Sequence, residues 1–324
     1  MKSILKRIVS SMLVVVMLLS MTTVVFADTF TDMPNDWRKT AIENAVKNGI
    51  ISGKGNGLAA PDDNITRAEM ASIIVRALGA KNEADVSKYL DVKKDKWYYS
   101  DFSKAVYMGA FTGNENNRMM PNANITFQEC FVVLSKVFGL HHRMKADKAS
   151  ELISAYSDAN TVSSWASLYY ASLLEKGYWT GGPEKKLRGT DYINRGEFAV
   201  VMDNLVKMYI DEPGEVTNLP EGNIVVRCND AVLDGIETKY DVIIGDGVEP
   251  QKVSVNNVKI DGRLVIRGCA SDENIENSTA VLGLAPSGEI NDVQIIVPYL
   301  VVSLKDVKFK KAHVVLHSTI KRSF

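Results

Sequence analysis

Two arginines stand where a cation is disfavoured. Arg67 in "NITRAEM" (Asn64–Met70) and Arg195 in "YINRGEF" (Tyr192–Phe198) each come one residue after a helix-capping side chain, Thr66 and Asn194. Positive charge in a first helical turn opposes the macrodipole by roughly 0.3–1 kcal/mol. A cation held against that field predicts an anion, because exposed backbone amides at a helix end, together with a guanidinium, make a carboxylate or phosphate site. The alternative is an ion pair with a nearby carboxylate such as Asp62 or Asp63. Recurrence at two equivalent places favours the anion site. Glu69 and Glu197 follow local rules: the cap side chain takes the N3 amide and the Glu reaches back to the cap amide, a capping box. Thr126 and Glu129 obey the same rule, but Phe127 stands where the arginine would be.

These positions belong to a unit used three times. Trp37, Trp97 and Trp165 are separated by 60 and 68 residues, and so are Thr66, Thr126 and Asn194. Each unit opens with an aromatic and an Asp two residues on: Phe30 and Asp32, Tyr89 and Asp91, Tyr156 and Asp158. A first helix follows, closed by Gly49, Gly109 or Gly177 at a left-handed C-cap. A Gly-, Pro- and Asn-rich stretch leads into the second helix, whose apolar stripe keeps helical spacing: Met70, Ile73, Ile74, Ala77, Leu78, then Cys130, Val133, Leu134, Val137, Phe138, then Phe198, Val201, Met202, Leu205, Val206. A lone helix pair cannot bury such stripes, so the second helices are expected to pack against one another around a shared axis.

With its aromatic-x-Asp openings, three tryptophans, Gly-closed first helices and "ITRAE" (Ile65–Glu69) with the variants "ITFQE" (Ile125–Glu129) and "INRGE" (Ile193–Glu197), the chain resembles S-layer homology domains over about residues 28–210. The resemblance implies an all-α-type, pseudo-threefold arrangement of three helix-loop-helix prongs around a central three-helix bundle. It further implies grooves that bind secondary cell-wall polysaccharide, in many members through a pyruvate ketal whose carboxylate meets the motif arginine. Carried over, that role falls to Arg67 and Arg195, with Glu69, Glu197, Asp32, Asp91, Asp158 and the three tryptophans around the ligand. Trp37, Trp97 and Trp165 read two ways, as platforms for sugar rings or as packing anchors before a helix. The groove at Phe127 is expected to bind weakly, not at all, or by apolar stacking.

After "DEPGEVTNLPEGN" (Asp211–Asn223), a Pro/Gly-bearing linker, helical periodicity gives way to short Val- and Ile-rich runs separated by Gly, Asn and Asp. Val253–Ile260 resembles Val302–Phe309, and a weaker copy begins at Leu233 with Ile236 and Thr238. Such repetition predicts an all-β domain of stacked, β-helix-like strands, with a small antiparallel sandwich as the alternative. The boundaries are then 1–27 signal peptide, 28–83, 84–148 and 149–210 for the three repeats, 211–223 linker, and 224–324 β-rich domain.

The first 27 residues have a basic start (Lys2, Lys6, Arg7), an apolar run and a small-residue end at Ala27, which reads as a secretory signal rather than a membrane anchor. No later run reaches the length of a membrane span. Losing residues 1–27 removes three of the 38 basic residues and none of the 39 acidic ones, leaving a net charge of −4 (35 − 39), with no nucleic-acid footprint. Cys130 reads as a buried small hydrophobe, while Cys228 and Cys269 could pair in an oxidising compartment. No metal or other cofactor is indicated: His313 and His317 lack a third ligand, and His141-His142 sits at a helix end where partial positive charge is favourable. Asp230, Asp234, Asp241, Asp246 and Asp261 lie in turns that Asp commonly serves, so a paired catalytic set is not evident.

The expectation is therefore a non-enzymatic, secreted surface protein held on the cell wall by its polysaccharide, with a β region that could meet other surface proteins. The alternatives are a wall-attached carbohydrate-active enzyme with catalysis in the β region, and a subunit of a surface lattice.

Overall fold

A computed structural model describes residues 30–268, 282–296, 301–303, 306–314 and 319–321. Among the described residues, seven α-helices fill the first part: α1 (Lys39–Lys47), α2 (Arg67–Leu78), α3 (Tyr99–Tyr107), α4 (Phe127–Val137), α5 (Ala146–Ser154), α6 (Ser167–Glu175) and α7 (Arg195–Leu205). All three capping boxes form: Thr66, Thr126 and Asn194 each accept the N3 amide, and Glu69, Glu129 and Glu197 return to the cap amide. Each box contributes about 1 kcal/mol. Gly49, Gly109 and Gly177 adopt φ of 65°, 71° and 70°, the left-handed conformation that ends a helix cheaply only at glycine. The longer second interval of the repeat accommodates α5 before Tyr156.

The three units interlock in a ring. The main packing of each second helix is on the first helix of another unit: α2 on α3, α4 on α6 and α7 on α1. This differs from the expectation that the second helices would meet chiefly one another, because the stripe of each second helix is wide enough to cover a neighbour's first helix. At the centre, Ile65 N–H donates to the carbonyl of Ile193 (3.0 Å), Ile125 to Ile65 (3.1 Å) and Ile193 to Ile125 (3.2 Å). All three isoleucines are fully buried, each worth about 1.5–3 kcal/mol in transfer from water.

The second part is strand-rich, and every strand pair among the described residues is parallel. One sheet runs β1 (Met208–Ile210), β3 (Ile224–Val226), β6 (Val242–Ile244), β8 (Val258–Ile266), β10 (Gly288–Ile295), β12 (Val307–Val314), with β5 (Glu237–Thr238) also on β8. Two further sheets contain β2 (Gly214–Glu215), β4 (Ala231–Asp234) and β7 (Val253–Asn256), and β9 (Leu282–Leu284), β11 (Val301–Ser303) and β13 (Thr319–Lys321). The all-parallel pairing departs from an antiparallel sandwich. The repeated run keeps its register: Leu233 pairs with Val255, Thr238 with Ile260, and both Val258 and Val307 pair with Gly288. Strands reach further towards the helices than the residue pattern suggested. Met208–Ile210 at the end of the third repeat forms β1, and the stretch read as a linker contributes β2, since both segments find a parallel partner in a later strand.

The two parts share a core. Tyr209, Val225, Ile243 and Val265 lie on one ladder and join the helical cluster. Three arginines of the β part reach across and donate to carbonyls at the ends of helices. Arg227 bonds the carbonyls of Arg76 (2.9 Å) and Asn48 (2.7 Å), Arg267 those of Val137 (2.7 Å) and Met108 (3.0 Å), and Arg263 that of Gly139 (2.8 Å). In the third unit Asn223 does the same to Leu205 (2.8 Å). These bonds satisfy carbonyls that a helix leaves unpaired at its C-terminus and place cations at the negative ends of the dipoles. Each guanidinium is held by its own carboxylate, Asp211, Asp246 and Asp241 respectively. The approach is close: a Cβ on Gly247 would lie 2.1 Å from the Gly79 carbonyl oxygen.

Among the described residues, no helix is long and apolar enough to cross a membrane. Cys130 is buried and free, and Cys228 is free. Cys269 and His317 lie outside the described residues, so the expected pairing of Cys228 with Cys269 and the His313–His317 spacing do too.

Candidate functional site

The loop between the helices of each unit is built on the opening Asp. Asp32 accepts the amides of Ala59 and Ala60 (2.7 and 2.8 Å), Asp91 those of Met119 and Met120 (2.9 and 2.8 Å), and Asp158 those of Leu187 and Arg188 (2.9 and 2.8 Å). In each pair the second residue has positive φ, so the carboxylate holds a strained corner in place. Both oxygens of each Asp are thus spent on the chain itself.

That loop then closes the helix of a neighbouring unit. The first two amides of α2 donate to Ala123 and Pro121 carbonyls (both 3.0 Å), those of α4 to Asp191 and Gly189 (both 3.0 Å), and those of α7 to Asp63 and Pro61 (both 2.9 Å). The third amide is taken by the capping box. The helix ends therefore offer no exposed amides to an anion, which corrects that part of the sequence argument: the donors were not free, because residues distant in the chain already use them. What is left for a ligand is the side chains.

Arg67 Nε donates to the Met119 carbonyl (2.8 Å), and its guanidinium lies 5.2 Å from the centre of the Phe111 ring. Its two Nη groups make no hydrogen bond among the described residues. Arg195 is more enclosed, donating through Nε to Ala59 (3.0 Å) and Nη2 to Ser52 (2.8 Å), with Nη1 3.5 Å from Glu69 Oε1. Burial lowers the pKa of both arginines, opposed by Glu129 and Asp91 at Arg67 and by Glu69 and Asp63 at Arg195. Both remain cationic. Neither is paired through its guanidinium with Asp62 or Asp63: Asp62 bonds Arg38 (2.6 Å) and Asp63 bonds Lys54 (3.0 Å).

Arg195 opens onto a groove of about 410 Å³ assembled from all three units. The first supplies Ser52, Lys54, Glu69, Ser72 and Arg76, the second Trp97, and the third Arg195. Three cations face one carboxylate, and Glu69 Oε1 already lies 3.2 Å from Lys54 and 3.5 Å from Arg195. Burial disfavours the charge of Glu69, but the Thr66 amide and hydroxyl, Lys54 and Arg195 outweigh it, so its pKa is lowered. The groove is positive at its floor and has an indole at its rim.

The tryptophans are exposed, Trp37 by 41%, Trp97 by 64% and Trp165 by 55%. Trp37 has an aromatic neighbour in Trp179 at 6.2 Å, and Trp97 one in Tyr98 at 5.5 Å, edge to face.

The position of Phe127 is filled from elsewhere. Phe127 is fully buried, 5.0 Å from Trp179, so its ring is closed to sugar stacking. The guanidinium of Arg188 covers it and forms an ion pair with Glu197. Sequence reasoning missed Arg188, Lys54 and Arg76. Arg188 occupies the positive-φ corner equivalent to Ala60 and Met120, and Arg76 lies on the same helix as Arg67, so the repeat register itself was the available signal.

Of the carboxylates considered for catalysis, Asp241 and Asp246 are bound to Arg263 and Arg267, and Asp234 accepts from Asn257 (2.9 Å). No group of three or more His, Cys, Asp or Glu side chains among the described residues is placed to hold a metal ion. His141 and His142 stack at 4.0 Å, and His142 faces His313 at 5.5 Å. Burial, with the neighbouring His141, His313 and Arg263, lowers the pKa of His142 to about 4. It is therefore neutral near pH 7 rather than the helix-end partial cation expected, chiefly because burial disfavours its charge.

The chain carries S-layer homology domains: the family model of that description matches residues 29–71 and 88–129, in the first two of the three units that cap, corner and interlock in the same way. The chain is similar to the surface-layer 125 kDa protein of Lysinibacillus sphaericus, 30% identical over 69% of this chain and 18% of that protein. It is also similar to the cellulosome-anchoring protein of Acetivibrio thermocellus, 29% identical over 48% of this chain and 34% of that protein. The exoglucanase XynX of Acetivibrio thermocellus is 26% identical over 55% of this chain and 16% of its own length. The chain thus spans a minor part of the relatives it matches.

Proposed function

We propose that the chain is a secreted surface protein held non-covalently on the cell wall, its helical part binding an anionic secondary wall polysaccharide in the grooves between units. The observation that carries this reading is the groove at Arg195, where Lys54, Arg76 and Arg195 converge beside the exposed Trp97. Cations bind a carboxylate such as that of a pyruvate ketal, and an indole covers the apolar face of a sugar ring. By the repeat, Arg67 and Trp165 form the corresponding pair in a second groove. The third groove, with Arg188 already bound to Glu197, is the weakest. Two working grooves hold one polymer more firmly than either alone, since the second attachment is intramolecular.

The architecture we infer is a pseudo-threefold arrangement of repeats 28–83, 84–148 and 149–210, supported by the cyclic isoleucine bonds, followed by a short β-helix, supported by the uniformly parallel pairing. Asp234, Asp241 and Asp246 of the β part are engaged by Asn257, Arg263 and Arg267, which favours a structural role for these three carboxylates.

Co-sedimentation of the protein with purified walls tests the reading. Native walls are expected to retain it. Walls stripped of secondary polysaccharide, and the variant Arg67→Ala/Arg195→Ala, are expected to abolish retention. Undiminished binding of that variant would return both arginines to a purely structural role.

A further inference from the structure

Four aromatic side chains meet where the second and third units face β12. His141 and His142, in the single turn after α4, stack at 4.0 Å. His141 also lies 4.6 Å from the Tyr169 ring of α6, and its Nδ1 is 3.2 Å from the Ser135 carbonyl. His142 faces His313 of β12 at 5.5 Å. The cluster thus joins three parts of the chain that are far apart in sequence.

The charges around it are chiefly cationic. Arg143 follows His142 on the same turn, Lys136 of α4 sits over the Tyr169 ring, Arg263 of β8 acts on His142, and Lys310 and Lys311 precede His313 on β12. The carboxylates on the neighbouring strands are already engaged, Asp241 with Arg263 and Asp292 of β10 with Arg143. A proton added to the cluster therefore meets like charge without a free counter-ion from these strands. Burial, then neighbouring cations, hold His141 and His142 below the ordinary imidazole value.

β12 is the element able to respond. Its residues are half-buried or exposed throughout, whereas β8 and β10 each bury a run of side chains at their C-terminal ends. It also ends its sheet among the described residues, lying against β10. A strand that buries so little opens at lower cost than the sheet it leaves. We propose that β12 is an acid-released strap: protonation of the histidine cluster drives the strand away from the second unit and off β10, while the helical ring stays folded. Opening takes His313 from His142 and returns part of His142 to water, so the open form binds the proton more tightly. Acid then favours opening, by up to about tenfold per pH unit for one proton, between about pH 6.5 and 4. Above that range the strap is closed.

Hydrogen exchange of the whole chain between pH 7.5 and pH 4.5, followed by mass spectrometry and corrected for the intrinsic rate of each amide, tests the proposal. Protection across Val307–Val314 is expected to fall by about three- to tenfold per pH unit below 6.5, while β8 and α4 keep theirs. His142→Gln should flatten this dependence. His313→Gln, at an exposed position, should lessen it without disturbing the core. Protection of β12 that does not change with pH, an equal and simultaneous loss in β8 and α4, or an undiminished slope in both variants would overturn the proposal.

Discussion

The guanidinium of Arg188 lies 4.9 Å from the centre of the Phe127 ring, and through Nη1 it pairs with Glu197. The two residues exchange the arrangement of the other units: the cation comes from the loop corner instead of the helix start. Introducing the motif arginine as Phe127→Arg therefore does not restore a groove. It buries a second guanidinium beside the first and removes a fully buried ring, and stability should fall by about 3–5 kcal/mol. Phe127→Arg/Arg188→Ala should recover part of that loss, and urea denaturation of the two variants measures the difference.

Trp97 and Trp179 separate binding from folding. Trp97 is 64% exposed, so Trp97→Ala should leave stability within about 0.5 kcal/mol while weakening retention on walls. Trp179 is 3% exposed among Trp37, Phe127 and Phe131, and Trp179→Ala should cost about 3–5 kcal/mol. Thermal melts beside the sedimentation assay check both.

Arg267 is the strictest of the docking arginines, with a side chain 2% exposed and bonded to Asp246 and to two helix-end carbonyls. Arg267→Ala leaves Asp246 buried without its cation and should cost about 3–5 kcal/mol. Arg267→Lys should rescue little, because one ammonium cannot span carbonyls on two helices. Denaturant midpoints of the two variants give the comparison.

Acid should loosen the same junction. The folded pKa of His142 is about 4, below the value near 6.5 of an unfolded chain. Between these values the unfolded state holds the extra proton, so this contribution to stability is complete above about pH 6.5, declines as pH falls towards 4, and changes no further below. The difference in denaturation midpoint between pH 7.5 and pH 4.5 should shrink in His142→Gln.

Local rules were legible in the sequence because they concern neighbours. Thr66 with Glu69, Gly49 at its C-cap and the 60-residue spacing of the first two tryptophans each depend on a few residues or on repetition. The register of Leu233 on Val255 was readable for the same reason. The roles of Asp32, Asp91 and Asp158 were not, since each folds back on amides some 28 residues away. Nor could the sequence show that Pro121 occupies an amide of α2, or that Arg227 reaches Asn48 across 179 positions. Such partners are chosen by the closed packing of the whole chain.

The isoleucine ring sets a stoichiometry. Ile65, Ile125 and Ile193 each give one amide and receive one through their carbonyl, so the circuit is complete with three members. A fourth copy inserted in tandem would find no vacant donor at the axis, and a pair would leave one amide and one carbonyl orphaned in a dry centre. Growth of such a protein by duplication must therefore proceed in whole triplets, or add its new segments outside the ring, as the parallel strands here have been added.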